Sequence, residues 1–225
     1  MTATSLTRAG GRRLPPLFAG LALIAVGLAV LLVGAVATSH YPFAFDHAII
    51  VGLRQWGGPA WLPKVAADIT DLGGGVVLTL IVALVVGFLL IQRLWLTALA
   101  TALATLSGGW VIELVKGTVL RARPELVPHL VDAHGYSFPS GHATASAVCY
   151  LTLAALAGQV TRDRAARLYL LVAAVLLVGA IGCSRVYLGV HWPSDVLAGW
   201  SFGTLWALGW WIATARARVA IGGER

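Results

Sequence analysis

Charged residues are scarce in this chain. Only 11% of its 225 residues are Asp, Glu, Lys or Arg, and the mean hydropathy is +0.85. Wholly soluble globular chains seldom have such a composition, whereas it is typical of integral membrane proteins. The lack of charge therefore argues against the soluble classes and predicts a protein that spans a membrane.

Acidic residues are the scarcer sign, with 9 Asp and Glu against 16 Lys and Arg and a net charge of +7. A basic excess of this kind is also typical of nucleic-acid-binding proteins. Here, however, the basic residues occur in short clusters between apolar runs, which is the pattern that membrane topology produces. We therefore expect the lipid bilayer, and no nucleic acid, as a partner.

Cysteine and clustered carboxylates are rare as well. Cys149 and Cys183 lie within or at the end of apolar runs, with neither metal-ligand spacing nor a thiol-redox motif, and they read as small core residues. Asp68 and Asp71 are three residues apart, but solvated loop polarity explains them more simply than a divalent metal does. The sequence predicts no metal site and no cofactor.

Apolar runs divide the chain into six predicted membrane spans, whose lengths suit the hydrocarbon core. They cover residues 17–38, 72–91, 94–115, 140–160, 168–183 and 196–213. The first run is too long for the apolar part of a cleavable signal peptide and reads as a membrane helix. The predicted domains are a cytoplasmic tail at 1–16, one six-helix membrane domain at 17–215 and a cytoplasmic tail at 216–225.

The longest loop, at 39–71, is predicted to hold one helix lying in the membrane interface. Its apolar residues fall on one helical face, and its polar residues, such as Asp46 and Arg54, fall largely elsewhere. Trp56 and Trp61 would anchor it. The fold class is therefore predicted as all-α: a six-transmembrane-helix bundle with an interfacial helix in the first outer loop.

Arginine clusters indicate the orientation of the bundle. In a six-span arrangement most arginines fall on the side that carries both termini, and the positive-inside rule makes that side cytoplasmic. These residues are Arg8, Arg12, Arg13, Arg93, Arg162, Arg164, Arg167, Arg216, Arg218 and Arg225. The loops at 39–71, 116–139 and 184–195 then share the outer side, so that the polar residues with possible chemistry converge there.

The first group with possible chemistry is Lys116 followed by Arg123 and Pro124. The two cations are seven residues apart, so they share a face if the third span continues as a helix. Two cations suit an anion of more than one charge, and the arginine fork can grip phosphate oxygens in pairs. The alternative is an ordinary basic helix end among lipid headgroups.

The second group is the turn Pro139, Ser140, Gly141 and His142, which opens the fourth span. A helix start presents free backbone N–H groups at the positive end of a dipole, which is a ready anion site. Ser140 can add a hydroxyl donor or simply cap the helix. The pKa class of His142 suits a proton donor near neutral pH.

The third group runs from Ser184 to Asp195, between the last two spans, and contains Arg185 and His191. Pro193 suits the first turn of a helix, which places His191 just before the helix and Asp195 inside its first turn. The helix dipole favours a carboxylate there, and Asp195 could orient His191 as aspartate does in a serine-protease triad. The alternative is a capped helix end with an arginine that snorkels to the interface.

In this order and spacing, the three groups resemble the signature of the type 2 phosphatidic acid phosphatases, the PAP2 family of membrane lipid phosphatases related to vanadium haloperoxidases. The family pattern reads K-x6-R-P, then P-S-G-H, then S-R-x5-H-x3-D. The matching positions are Lys116, Arg123, Pro124, Pro139, Ser140, Gly141, His142, Ser184, Arg185, His191 and Asp195.

The resemblance implies a role for each position. His191 attacks phosphorus and forms a phosphohistidine, Asp195 orients it, and His142 protonates the leaving oxygen. Water then hydrolyses the intermediate without a metal. The groups that hold the phosphate oxygens are Lys116, Arg123, Ser140, Gly141 and Arg185. Other polar loop residues either shape the headgroup pocket or are solvated: Arg121, His129, Asp132, His134, Tyr136 and Ser184.

The resemblance also implies a lipid phosphate substrate of the phosphatidic acid, phosphatidylglycerol phosphate or undecaprenyl diphosphate class. The expected location is the cytoplasmic membrane of a bacterium, and the arginine clusters predict that the active site lies on the extracytoplasmic side. Two alternatives stay open: a lipid phosphotransferase with the same site, and a non-catalytic lipid-binding or transport protein. The sequence names neither the lipid nor the oligomeric state.

Overall fold

Apolar helices form almost all the regular structure of this chain. The computed structural model describes residues 25, 26, 29, 32, 33, 42–161 and 163–221. In 42–161 and 163–221 it contains α1 (Ala44–Trp56), α2 (Leu62–Asp71), α3 (Gly75–Ile91), α4 (Trp95–Val119), α5 (Gly141–Val160), α6 (Arg164–Tyr187) and α7 (Pro193–Ala220). Within α5 the stretch Ala147–Leu151 has π-helical hydrogen bonding. No strand occurs in these described ranges, so the all-α prediction agrees with the structure.

Four of these helices, α4 to α7, are long and apolar enough to cross a membrane. The pair α2 and α3 would make a fifth span if it is counted as one element, but it bends by 46° at its break. The predicted first span, 17–38, lies outside the described residues except for five single positions. The structure therefore supports a membrane bundle and leaves the count of six as a prediction.

The segment 39–71 contains two helices: α1 coincides with the predicted helix, whereas α2 was not predicted. Gly57 and Gly58 follow α1 with φ angles of 71° and 68°. Left-handed backbone of this kind suits glycine and cannot continue a right-handed helix. Pro59 comes next, and α2 then begins at Leu62. Whether α1 lies in the interface stays a prediction.

Several predicted ends also move. α4 runs past the predicted end at 115 to Val119 and stops at Leu120, whose φ of 51° is left-handed. Arg123 is therefore beyond the helix, so the condition for a face shared with Lys116, a third span that continues as a helix, is not met. α7 begins at Pro193, in its predicted first-turn position, but continues to Ala220. The predicted tail boundary at 216 thus falls inside a helix.

α5 is the most buried of the four long helices α4 to α7. In its most apolar stretch 67% of the residues are buried, against 28% for α6. Small residues let neighbouring helices approach it closely. A Cβ at Gly199 would lie 2.8 Å from Thr144 Oγ1, and one at Gly108 would lie 2.7 Å from a methyl of Val148. This close packing fixes the start of α5, where Ser140 and His142 lie, against α7.

Candidate active site

Three chain segments meet at one end of the bundle. The start of α5 is tied to α7 by a hydrogen bond from Ser140 N to the Asp195 carbonyl, at 3.1 Å. The loop after α4 joins them, since Arg121 Nη1 in this loop donates to Asp195 Oδ1 at 2.7 Å. The three motif groups that are distant in sequence are thus brought together, and the link from α7 to α5 comes from Asp195 itself.

His191 lies between α6 and α7 and is only 2% exposed. Its Nε2 is 3.0 Å from Arg123 Nη1. A guanidinium can only donate, so Nε2 accepts and the ring proton is assigned to Nδ1. Nδ1 is 3.4 Å from Asp195 Oδ2 and 3.4 Å from Ser137 Oγ. The tautomer therefore leaves the lone pair of Nε2 directed toward the arginine.

Asp195 is the third residue of α7 and is fully buried. Its Oδ2 accepts the Trp192 N–H at 2.9 Å and also the Ser137 hydroxyl in a short contact. Its Oδ1 accepts from Arg121 Nη1 at 2.7 Å. A carboxylate in the first turn of a helix is further stabilised by the helix dipole. These donors hold both carboxylate oxygens of Asp195, and Oδ2 faces the proton-bearing Nδ1 of His191.

The pKa of His191 is lowered to about 4, chiefly by burial; the nearby Arg123 and Arg185 also lower it, while Asp195 acts in the opposite direction. Burial likewise lowers the pKa of Arg123, against the effect of Asp195. The His191 imidazole is therefore neutral near neutral pH. A neutral imidazole with an unprotonated ring nitrogen is what a nitrogen nucleophile requires.

Arg123 reaches the site from the loop because backbone carbonyls hold its guanidinium. Nη1 donates to the Val190 carbonyl at 2.8 Å, Nη2 to the His134 carbonyl at 2.8 Å and Nε to the Gly135 carbonyl at 3.1 Å. The seven-residue spacing between Lys116 and Arg123 does not determine this position, because the helix ends before Arg123. These three carbonyl partners are neutral, so they do not compensate the positive charge of Arg123. The charge can therefore act on a bound anion.

The other two predicted cations come from helices. Arg185, at the end of α6, is 5% exposed, so the snorkelling alternative is wrong. Its Nη1 donates to Thr70 Oγ1 of α2 at 3.2 Å. Lys116 Nζ is 3.6 Å from Glu113 and would lie 3.1 Å from a Cβ at Gly141. The absence of a side chain at Gly141 thus leaves room for the ammonium group at the start of α5.

Ser140 caps α5, as its position predicted. Its Oγ accepts from Ala143 N at 3.5 Å, and its carbonyl accepts from Thr144 N at 2.9 Å. His142 lies in the first turn of α5 and is partly exposed. It is close to the turn between α2 and α3, because a Cβ at Gly73 would lie 3.4 Å from the Cβ of His142. It is within electrostatic reach of the charges of Lys116, Arg123 and Arg185.

The sequence did not identify three residues that complete this site: Asp46, Arg121 and Ser137. Asp46 was expected on the polar face of a surface helix, but it is fully buried. Arg121 was expected in the headgroup pocket or in solvent, but it is 4% exposed and paired with Asp46 and Asp195. The only sequence signal was the charge itself, since a buried ion needs a partner.

The remaining polar loop residues have simpler surroundings. Asp132 and Tyr136 are exposed, and the His129 ring contacts the Pro124 carbonyl at 2.7 Å. His134 contributes only its backbone carbonyl to Arg123. Ser184 bonds the Ile181 carbonyl inside α6 at 2.7 Å. Among the described residues, no group of three or more His, Cys, Asp or Glu is arranged to hold a metal ion.

Comparison with known proteins identifies similar sequences. Residues 93–218 match the family model described as the PAP2 superfamily. Phosphatidylglycerophosphatase B of Bacillus subtilis is 34% identical over 148 residues, which are 64% of this chain and 71% of that protein. Undecaprenyl-diphosphatase of Sulfolobus acidocaldarius is 38% identical over 69 residues, which are 31% of this chain and 29% of that one.

A solved structure is similar as well. The crystal structure of the transmembrane PAP2 type phosphatidylglycerolphosphate phosphatase from Bacillus subtilis matches with a TM-score of 0.71 and 27% identity, over 86% of this chain and 93% of that one. The fold and the site thus have the form of a membrane phosphatase of the PAP2 type. The chain belongs to the PAP2 superfamily, as its three motifs indicated.

Proposed function

We propose that this protein hydrolyses a terminal phosphate from a membrane lipid through a phosphohistidine on His191. One observation carries the proposal: a neutral, buried imidazole whose Nε2 lone pair points to the guanidinium of Arg123, while its Nδ1 proton faces Asp195. A phosphoryl group bound by Arg123 would have its phosphorus beside Nε2. Positioning and charge stabilisation supply most of the catalysis in phosphoryl transfer.

The proposed first step forms the bond between Nε2 and phosphorus and breaks the bond from phosphorus to the lipid oxygen. His142 donates a proton to that oxygen as it leaves. Asp195 stabilises the positive charge that His191 gains, because its Oδ2 faces Nδ1. The charges and N–H groups that would hold the phosphate oxygens are those of Lys116, Arg123, Arg185, Ser140 and Gly141.

In the second step, water attacks phosphorus, and the bond to Nε2 breaks. His142, which has lost its proton, accepts one from the water and is thereby restored. Inorganic phosphate then leaves. Cations and N–H donors supply the charge that Mg²⁺ supplies in other phosphoryl-transfer enzymes, so this proposal needs no metal.

The substrate class is a phosphate monoester or diphosphate on a lipid. Support comes from the relatives, which are named a phosphatidylglycerophosphatase and an undecaprenyl-diphosphatase. The lipid tail would stay in the bilayer while the headgroup enters the polar end of the bundle. That end would face outward in a bacterial cytoplasmic membrane, because the arginine excess lies at the opposite end.

The test is phosphate release by the purified protein in detergent from phosphatidic acid, phosphatidylglycerol phosphate and undecaprenyl diphosphate. A rapid quench with ³²P-labelled lipid should trap an acid-labile phosphoenzyme. His191→Ala should abolish both signals, whereas His129→Gln, at an exposed loop histidine, should change neither.

The outcomes separate the proposal from its alternatives. Transfer of label to an added lipid alcohol in place of water would indicate a phosphotransferase. Binding of these lipids without release of phosphate would indicate a non-catalytic protein. Turnover that survives in His191→Ala would refute the phosphohistidine.

A further inference from the structure

A line of buried charges continues from the proposed catalytic pair to the first helix of the outer loop. His191 faces Asp195, whose Oδ1 is 2.7 Å from Arg121 Nη1. Arg121 Nη2 is in turn 3.0 Å from Asp46 Oδ2. Asp46 and Asp195 are fully buried, and Arg121 is 4% exposed. One guanidinium thus lies between two carboxylates, out of contact with solvent.

Asp46 is held as firmly as Asp195. It is the third residue of α1, and its Oδ2 accepts the Phe43 N–H at 3.1 Å. Its Oδ1 accepts the Ser194 N–H at 2.8 Å, and its Oδ2 accepts the Ser194 hydroxyl at 2.7 Å. One carboxylate therefore binds the first turns of α1 and α7 together. Both helix dipoles favour its negative charge.

This arrangement has an electrostatic consequence for His191. A guanidinium 2.7 Å from Asp195, with no other anion beside it, would compensate the charge of that carboxylate. Asp195 would then stabilise a positive His191 poorly, because the pair would be neutral overall. Asp46 compensates Arg121 from its far side, so that the three groups together keep one net negative charge beside the imidazole.

We propose that Asp46 and Arg121 are positioning residues for the reaction, in which Arg121 orients the Asp195 carboxylate and Asp46 balances the charge of Arg121. This inference rests on the proposed function, since it concerns the charge that His191 gains in the transfer step. Neither residue touches the substrate in this scheme. Their effect reaches the reaction through Asp195.

The charged and titratable groups around His191 limit what else can shift its titration. They are Asp195 from α7, Arg123 from the loop, Arg185 from α6 and His142 from α5. None of them is changed by substitutions at positions 46 and 121. A purely structural role for the buried pair would lower the thermal stability of both variants but would give no signed effect on His191.

The test uses the signs of three variants. Asp46→Asn leaves Arg121 unbalanced, so His191 should titrate at lower pH than in the wild type. Arg121→Gln leaves two unbalanced carboxylates, so His191 should titrate at higher pH. The double variant has the same net charge at this site as the wild type and should return toward the wild-type titration. A displacement of about one pH unit is expected for each single variant.

The measurement is a ¹⁵N-histidine NMR titration of the full-length protein in detergent, with the His191 signal assigned by its loss in His191→Gln. Asp68→Asn is the matched control, because Asp68 is exposed and pairs only with Lys64 on its own helix, at 3.3 Å, among the described residues. In parallel, kcat on p-nitrophenyl phosphate should fall about tenfold or more in Asp46→Asn, with KM changed less than about twofold.

Displacements of the same sign in both single variants, or none, would overturn the proposal. Should Asp46→Asn fail to fold, the direction of the Arg121→Gln displacement decides alone. If the wild type shows no phosphatase activity, the proposed function fails, but the NMR titration still decides whether the buried charges act on His191.

Discussion

Acidification gives the sharpest test of the burial of His191. The pKa of this imidazole is lowered from 6.5 to about 4, chiefly by burial. A nucleophile of pKa 4 is about 90% neutral at pH 5, whereas one of pKa 6.5 would be about 3% neutral there. The two cases thus predict activities at pH 5 that differ about 30-fold, measured as kcat/KM, which reports ionisation in the free enzyme.

The assay is kcat/KM for p-nitrophenyl phosphate between pH 4 and 8, corrected for the separately titrated ionisation of the substrate. Activity should persist to pH 5 and be half lost near pH 4. In Asp195→Asn the loss should begin at still lower pH, because that carboxylate raises the pKa of His191. A midpoint between pH 6 and 7 in the wild type, after this correction, would refute the reasoning.

The stability of the fold changes over the same pH range, and its sign follows from linkage. Between pH 6.5 and 4 the unfolded chain binds a proton at His191 that the folded chain does not. The free energy of unfolding therefore falls as pH falls through this window, by about 3 kcal/mol at most from this group. Initial rates and a Tm at each pH distinguish loss of activity from loss of fold.

Three further predictions concern the mechanism and the orientation. His142→Ala should lose about 10²–10⁴-fold on a lipid monophosphate but much less on p-nitrophenyl phosphate, because nitrophenolate leaves without a proton; equal losses would remove His142 from the acid role. Activity should survive EDTA and be inhibited by vanadate; loss with EDTA and rescue by Mg²⁺ would refute the mechanism without metal. In cells, with Cys149 and Cys183 replaced, a cysteine at Asp132 should react with an impermeant maleimide, and one at Gln92 should not; the opposite labelling would reverse the topology.

Local rules predicted much of the fold from sequence. Apolar runs located the helices from α3 to α7, and Pro193 located the first turn of α7. An apolar run reflects the lipid around a helix, and a proline acts on the backbone of its immediate neighbours. Both are local signals that a single sequence contains. Helix ends were less accurate, because Val119 and Ala220 lie well past the points where the hydropathy falls.

The buried charges could not be predicted in the same way. Asp46 and Arg121 are 75 positions apart in the chain, and their pairing depends on how α1 packs against the loop that follows α4. In an isolated sequence, Asp46 satisfies the pattern of an amphipathic surface helix as well as that of a buried partner. The spacing within each motif predicted which residues form the site but gave no sign of what surrounds them.

The residues that support the motifs come from a part of the chain that the family model does not cover. That model matches residues 93–218, but Asp46 binds Arg121 and Ser194, Thr70 binds Arg185, and Gly73 lies against His142. Thr70 holds the cation of Arg185, and Arg121, paired with Asp46, holds the carboxylate of Asp195. Both charged groups therefore have defined positions before substrate binds. Because α1 and α2 provide these supports, we expect this segment to affect the chemistry proposed at His191, besides any contact it makes with the lipid.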